Sequence, residues 1–284
     1  MMNIKSLYLN LLKNSLTDYN NIDNPYANAI PPQFWWKKSY LKKLRNKWII
    51  NILGRSKMFV LKSDDYSPEE RRLRRTNGVD WPIMQAQTMV GLRRLQNIQE
   101  LLEDVIEKRI EGDVVETGVW RGGASIFMRA ILKVNDINDK IVWLCDSFEG
   151  LPKPEPDKYP ADLGDKHYTY DFLSVDQKTV EDNFIKYGML DDQVRFVKGF
   201  FEDTLWDIPA EKFCLLRLDG DMYSSTIISL EALYPKLSEG GYVVIDDFGL
   251  APCAKAVIDF RKANNINSEI IDVDGSGAYW CKGY

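Results

Sequence analysis

Two apolar runs of this chain stop abruptly on carboxylates. "LLRLDGDMYSST" at 215–226 carries Asp219 and Asp221, and "GGYVVIDDFG" at 240–249 carries Asp246 and Asp247. Ionised acids brought together repel one another and raise each other's proton affinity, so a cluster of them calls for a cation. The chain has one histidine and no clustered cysteines, which leaves oxygen donors and selects a hard ion, magnesium or calcium. The competing reading is that one or two of these acids cap helices or bond their own turns, Asp221 foremost. That reading accounts less well for Asp219, Asp246 and Asp247 together.

Two earlier runs end in the same manner. In "VVETGVWRGGAS" at 114–125, Glu116 is followed by Gly118, Gly122 and Gly123 at a strand-to-helix passage, where missing side chains let a ligand approach the backbone near a helix N-terminus. The pattern is neither G-x-G-x-x-G nor a P-loop. In "WLCDSFEG" at 143–150, Asp146 ends the next strand, the place where a nucleoside-binding sheet accepts ribose hydroxyls. The single histidine, His167, lies in "GDKHYTYDF" within an irregular insertion at 151–174, beside Asp165, Tyr168 and Tyr170. A neutral imidazole suits proton transfer near neutral pH, although a lone loop histidine is often a surface residue.

The elements that must position these residues follow from periodicity. From about residue 80 onward strand and helix alternate: Met89, Leu92, Leu95, Ile98, Leu101, Leu102 and Val105 have helical spacing, and "DVVE", "IVWLCD", "VRFVKG", "FCLLRLD" and "YVVID" are continuous apolar runs. Such runs between helices imply a doubly wound α/β fold, a mostly parallel sheet covered on both faces. "EIIDVDG" and "GAYWCKG", joined through Gly275, Ser276 and Gly277, add a C-terminal antiparallel hairpin and bring the sheet to seven strands. Ligands bind such sheets outside the carboxyl ends of the strands, which is where the acids stand. Residues 1–75 differ in texture, with the turn-prone stretch 20–33 between amphipathic segments, and read as a helical N-terminal arm or lid before a domain at 76–284. The basic stretches 37–48 and 71–75 read as solvated helix faces.

A formal charge of −5 and pI near 5.2 offer nucleic acid no general attraction. Cys145, Cys214, Cys253 and Cys281 are widely spaced and read as reduced thiols. No run reaches the roughly 20 apolar residues of a membrane helix, and the first residues lack a cleavage pattern. A cytoplasmic protein without nucleic-acid or membrane partners is expected.

At this point five stretches, "VVETGVWRGGASIFMRAIL", "DSFEGLP", "NFIKYGMLDDQVRFVKGFFEDTL", "LLRLDGDMYSST" and "LYPKLSEGGYVVIDDFG", resemble in order the macrocin O-methyltransferase family, whose members modify sugar hydroxyls of secondary metabolites. The resemblance, running from about Thr76 to the C-terminus, implies a class I, Rossmann-like methyltransferase using S-adenosylmethionine and magnesium. By that similarity Glu116, Thr117, Gly118, Val119 and Trp120 hold the methionine part of the cofactor, and Thr88 and Met89 close over it. Asp146 takes the ribose hydroxyls, Ser147 and Phe148 lie beside the adenosine, and Gly199 and Phe200 near the adenine. Asp219, Asp246 and Asp247 match the metal ligands. Asp219 is also the implied base, with His167 as the second candidate. The arm and the 151–174 insertion would form the pocket for a small-molecule acceptor, glycoside or polyol in kind. The resemblance and the amphipathic arm suggest a homo-oligomer, a dimer or larger. The rival readings are a nicotinamide-dependent oxidoreductase, which G-x-G-x-x-G would mark, and a non-catalytic binding protein of the same fold.

Overall fold

The computed structural model describes residues 3–23, 66–78 and 85–283. The basic stretch 37–48 and most of 20–33 lie outside them. Helix α1 (Ile4–Leu16) opens the chain and α2 (Pro68–Asn77) follows, started by a capping box in which Ser67 and Glu70 satisfy each other's backbone N–H groups. α3 (Leu92–Glu107) leads into β1 (Asp113–Thr117), then α4 (Gly123–Val134), β2 (Val142–Asp146), α5 (Gln177–Lys186), β3 (Val194–Lys198), the single turn α6 (Phe201–Thr204) and β4 (Phe213–Leu218). α7 (Tyr223–Leu233), β5 (Leu237–Ile245), α8 (Ala251–Ala263), β6 (Ile271–Asp272) and β7 (Ala278–Cys281) complete the order.

The seven strands run β3-β2-β1-β4-β5-β7-β6, parallel through β5, with β7 antiparallel to β5 and β6 to β7. The doubly wound sheet with its C-terminal antiparallel strands is therefore as expected. β6 is shorter than "EIIDVDG" suggested, because the Asp272 carboxylate takes the Gly275 N–H and starts the turn early.

Successive strand residues point to opposite faces, and two cores result. Val114, Leu144, Tyr242 and Val244 pack with α1, α3, α4 and α5 on one side, while Val115, Cys145, Val243 and Ile245 pack with α7 and α8 on the other. α1 belongs to the first core: Leu9, Leu12 and Leu16, one helical face, are buried against α3 and α4. Within the stretch 71–75 only Arg75 departs from a solvated face: it is buried with its guanidinium on the Thr17 carbonyl at the end of α1, whereas Arg72 and Leu73 are exposed and Arg71 and Arg74 half-buried.

Candidate active site

The sheet register itself lines up the acids. The strand order reverses between β1 and β4, which opens a crevice at their carboxyl ends. β1 pairs Thr117 with Leu218, and β4 pairs Leu218 with Ile245. Just beyond, the Asp219 N–H bonds the Thr117 carbonyl and the Asp246 N–H the Leu218 carbonyl, each at 2.9 Å. Asp219 and Asp246 thus leave neighbouring strands at one level. Gly118, at φ +82°, makes room for this, since a Cβ there would stand 1.7 Å from the Asp219 carbonyl oxygen.

Alternation also puts Glu116, Arg217, Asp219 and Asp246 on one face. Arg217, enclosed near the carboxyl end of β4, bonds Glu116, Asp219 Oδ2 at 3.0 Å and Asp246 Oδ1 at 2.6 Å. From α3, Arg94 Nη1 reaches Asp246 Oδ2 at 2.6 Å. Asp246 is therefore held from both sides, and although burial alone would raise its pKa, Arg94 and Arg217 keep it below the ordinary carboxylate range. Asp219 and Asp247 go the other way. Enclosure, then the charge of Asp246 for the first and of Asp221 and Asp246 for the second, push both well up.

One oxygen from each of Asp219, Asp246 and Asp247 lies within 4.8 Å of the others. Excess negative charge on three convergent oxygen donors fits a hard divalent cation. Of the three, Asp219 lines the adjoining cleft, an open space of about 970 Å³, while Asp246 and Asp247 stand behind it.

The cleft brings together Met89, Gly118, Trp120, Asp146, Ser147 and Phe200 from the expected cofactor residues. Asp146 is pinned by two amides, Val119 N–H on Oδ2 and Phe148 N–H on Oδ1, both at 2.7 Å. Its carboxylate is thereby turned into the cleft, where acceptor oxygens fit the hydroxyls of a ribose. Ser147 supports the turn by donating to the Gly150 carbonyl at 2.6 Å. Trp120 donates its indole N–H to the Phe172 carbonyl at 2.9 Å and so ties the glycine loop to the 151–174 insertion.

The other expected residues stand behind the wall. Glu116 is fully buried between Arg217 and Ser125, and its pKa is raised by burial against the pull of that arginine. Thr117 is buried with its hydroxyl 3.5 Å from Ser229 Oγ, and Phe148 packs on Phe196 with ring centroids 6.0 Å apart. Val119 is buried, and Gly199 closes the end of β3 through its N–H on the Asp146 carbonyl at 2.9 Å. Thr88 is buried with its hydroxyl accepting from Val90 N–H, and its loop is fastened to α1 by the Gln87 N–H on the Leu16 carbonyl at 2.7 Å.

His167 sits in a 3-10 turn of the insertion. Its Nδ1 is 2.7 Å from Asp165 Oδ2, and its ring meets Tyr170 edge-on. It is absent from the cleft wall, but the charge of Asp165 is felt at Asp221, which does line the cleft. Asp221 does not cap α7. It takes a left-handed turn conformation, φ 55°, and Asp162 of the insertion caps the helix instead, accepting Tyr223 N–H at 2.7 Å and Ser224 N–H at 3.0 Å. Arg217, Arg94, Asp162 and Asp274 are the residues that motif reading missed. A charged residue inside the apolar run "LLRLD" was the signal for the first.

With this geometry in hand, the profile described as macrocin O-methyltransferase matches residues 5–282. The chain is 47% identical over 208 residues to demethyldecarbamoylnovobiocin O-methyltransferase of Streptomyces niveus, covering 72% of this chain and 79% of that protein. It is 44% identical over 209 residues to mycinamicin III 3''-O-methyltransferase of Micromonospora griseorubida, covering 72% and 82%. The solved O-methyltransferase NovP superimposes with a TM-score of 0.80 at 37% identity, over 99% of this chain and 100% of that one. The calicheamicin methyltransferase CalS11, 17% identical with a TM-score of 0.56 over 87% and 95%, shares the fold.

Proposed function

Because this chain belongs to the macrocin O-methyltransferase family and is an O-methyltransferase, we propose that it methylates a hydroxyl on a sugar or polyol moiety of a secondary metabolite, using S-adenosylmethionine and magnesium. The observation that carries the reading is the meeting of Asp219, Asp246 and Asp247 within 4.8 Å at the edge of a cleft that Asp146 also lines. A third relative, the 8-demethyl-8-(2,3-dimethoxy-alpha-L-rhamnosyl)-tetracenomycin-C 4'-O-methyltransferase of Streptomyces olivaceus, 47% identical over 204 residues, supports a sugar as the acceptor class.

When bound, the cofactor supplies an electrophilic methyl group and the ion acidifies and orients the acceptor hydroxyl. The chain's own residues do the rest. Asp146 accepts the ribose hydroxyls in the pose its two amides dictate. Met89, Gly118, Trp120, Ser147 and Phe200 form the wall against which the cofactor lies. Glu116, Thr117, Val119, Phe148, Gly199 and Thr88 act from behind that wall by fixing the loops. Asp219 is our assigned base: it alone among the three clustered acids lines the cleft, within reach of an acceptor hydroxyl held there. His167, oriented by Asp165, is the second candidate and would pass the proton outward. Holding hydroxyl and methyl donor in line accounts for much of the expected rate.

The acceptor is expected between the insertion and the N-terminal arm, in a homo-oligomeric protein of the cytoplasm. The four cysteines are free, which supports a reducing compartment. Among the described residues no helix is long and apolar enough to cross a membrane. Incubation with S-adenosylmethionine, magnesium and a panel of glycosides should yield a product heavier by one CH₂, and chelator or Asp219→Ala should abolish it. Turnover that survives both would sink the assignment.

A further inference from the structure

We infer that Arg94 and the hairpin turn between β6 and β7 form a brace that orients Asp246 toward the cation, which makes Arg94 and Asp274 positioning residues of the metal centre. The inference rests on the metal reading given above. Arg94 grips Asp246 twice, Nη1 donating to the backbone carbonyl at 3.0 Å and to Oδ2 at 2.6 Å. Its Nε donates to Asp274 Oδ2 at 2.8 Å. Asp274 is itself locked, because its other oxygen accepts the N–H groups of Ser276 at 3.1 Å and Gly277 at 2.9 Å.

The turn returns to the acids at a second point. The Ser276 carbonyl accepts the Gly249 N–H at 2.8 Å, just beyond Asp247. The pair Asp246–Asp247 is thus held on one side through Arg94 and on the other through Ser276. Gly277 lets the arginine pass, since a Cβ there would stand 3.2 Å from Arg94 Cδ and Nε.

Bonding the carbonyl and the carboxylate of one residue with one planar group fixes both its backbone and its side-chain torsion, which a lysine cannot reproduce. Arg217 takes the remaining oxygen from β4, so Asp246 is left with a single setting. Enclosed ion pairs are a weak source of net stability. A device spanning 180 residues of sequence to reach one carboxylate is better accounted for by orientation. Orientation and charge make opposite predictions here, because the positive charge of Arg94 by itself repels a cation.

The test is calorimetric titration of magnesium and manganese into the full chain and into Arg94→Lys, Arg94→Gln and Asp274→Asn. S-adenosylhomocysteine affinity without metal is measured in parallel. Arg94→Lys, which keeps the charge and loses the fork, should weaken the metal by about tenfold or more. Arg94→Gln should weaken it at least as much, and S-adenosylhomocysteine should bind within about twofold of the parent. Parental metal affinity in Arg94→Lys, tighter binding in Arg94→Gln, or a parallel loss of both ligands would overturn the brace. Should the arginine variants not fold, the near-isosteric Asp274→Asn decides alone: a several-fold loss supports the brace and parental affinity overturns it. A parent that binds no divalent ion removes the metal reading itself, whereas a parent that binds beside unchanged variants removes only the brace.

Discussion

Asp221→Asn should stabilise the metal-free protein, and by an amount that grows with pH. Burial, then the charges of Asp219, Asp246 and Asp165, push the Asp221 carboxyl from 3.8 up to about 8. Below pH 3.8 folded and unfolded chains both carry the proton, and the group is neutral to stability. Between 3.8 and about 8 the unfolded chain has released it and the folded chain has not, so stability falls with rising pH across this window and levels off above it. At about 1.4 kcal/mol per tenfold change in proton affinity, the ceiling is ~6 kcal/mol. Asp221 borders an open cleft, and solvent there reduces the effect to about 2 kcal/mol. Asparagine has no proton to lose. In EDTA the variant should melt level with the parent near pH 4 and about 4–8 °C above it near pH 8. A difference that is the same at both ends of the window, or a variant less stable at pH 8, would refute the reasoning.

Other consequences can be checked on purified protein. Arg217→Met leaves Glu116, Asp219 and Asp246 without their shared cation and should lose about 3–5 kcal/mol in urea denaturation. Asp162→Ala removes the cap from α7 and should lose about 1 kcal/mol, with faster hydrogen exchange across 155–174 as its signature. Gly118→Ala forces a methyl into the Asp219 carbonyl, and both calorimetric metal binding and the melting temperature should fall.

The strand ends were legible because a buried parallel strand must be apolar along its length, so an acid at its end is conspicuous. What sequence could not separate was the role of each acid. Glu116 and Asp146 present the same signal, yet Glu116 points across to Arg217 and is sealed in, whereas Asp146 is turned by two loop amides into the cleft. That distinction depends on register between strands far apart in sequence. The Asn- and Lys-rich texture of the first residues concealed the docking of α1, although Leu9, Leu12 and Leu16 already had the spacing of one buried face. Asp162 lies in an irregular insertion, where nothing local reveals that its partners are the N–H groups of Tyr223 and Ser224.

The insertion at 151–174 is bolted to the catalytic core at two points, Asp162 on the start of α7 and the Phe172 carbonyl on the Trp120 indole. The first bolt sits four residues past Asp219 and the second inside the glycine loop, and neither uses the residues between them. Such a segment behaves as a cassette. Its interior can be exchanged, lengthened or recoded while Asp162 and a carbonyl at 172 keep the joints, and Asp165 is the interior residue whose charge reaches the acids, through Asp221. If the insertion shapes the acceptor pocket as proposed, grafting between related enzymes at these two joints should redirect the protein toward a different acceptor.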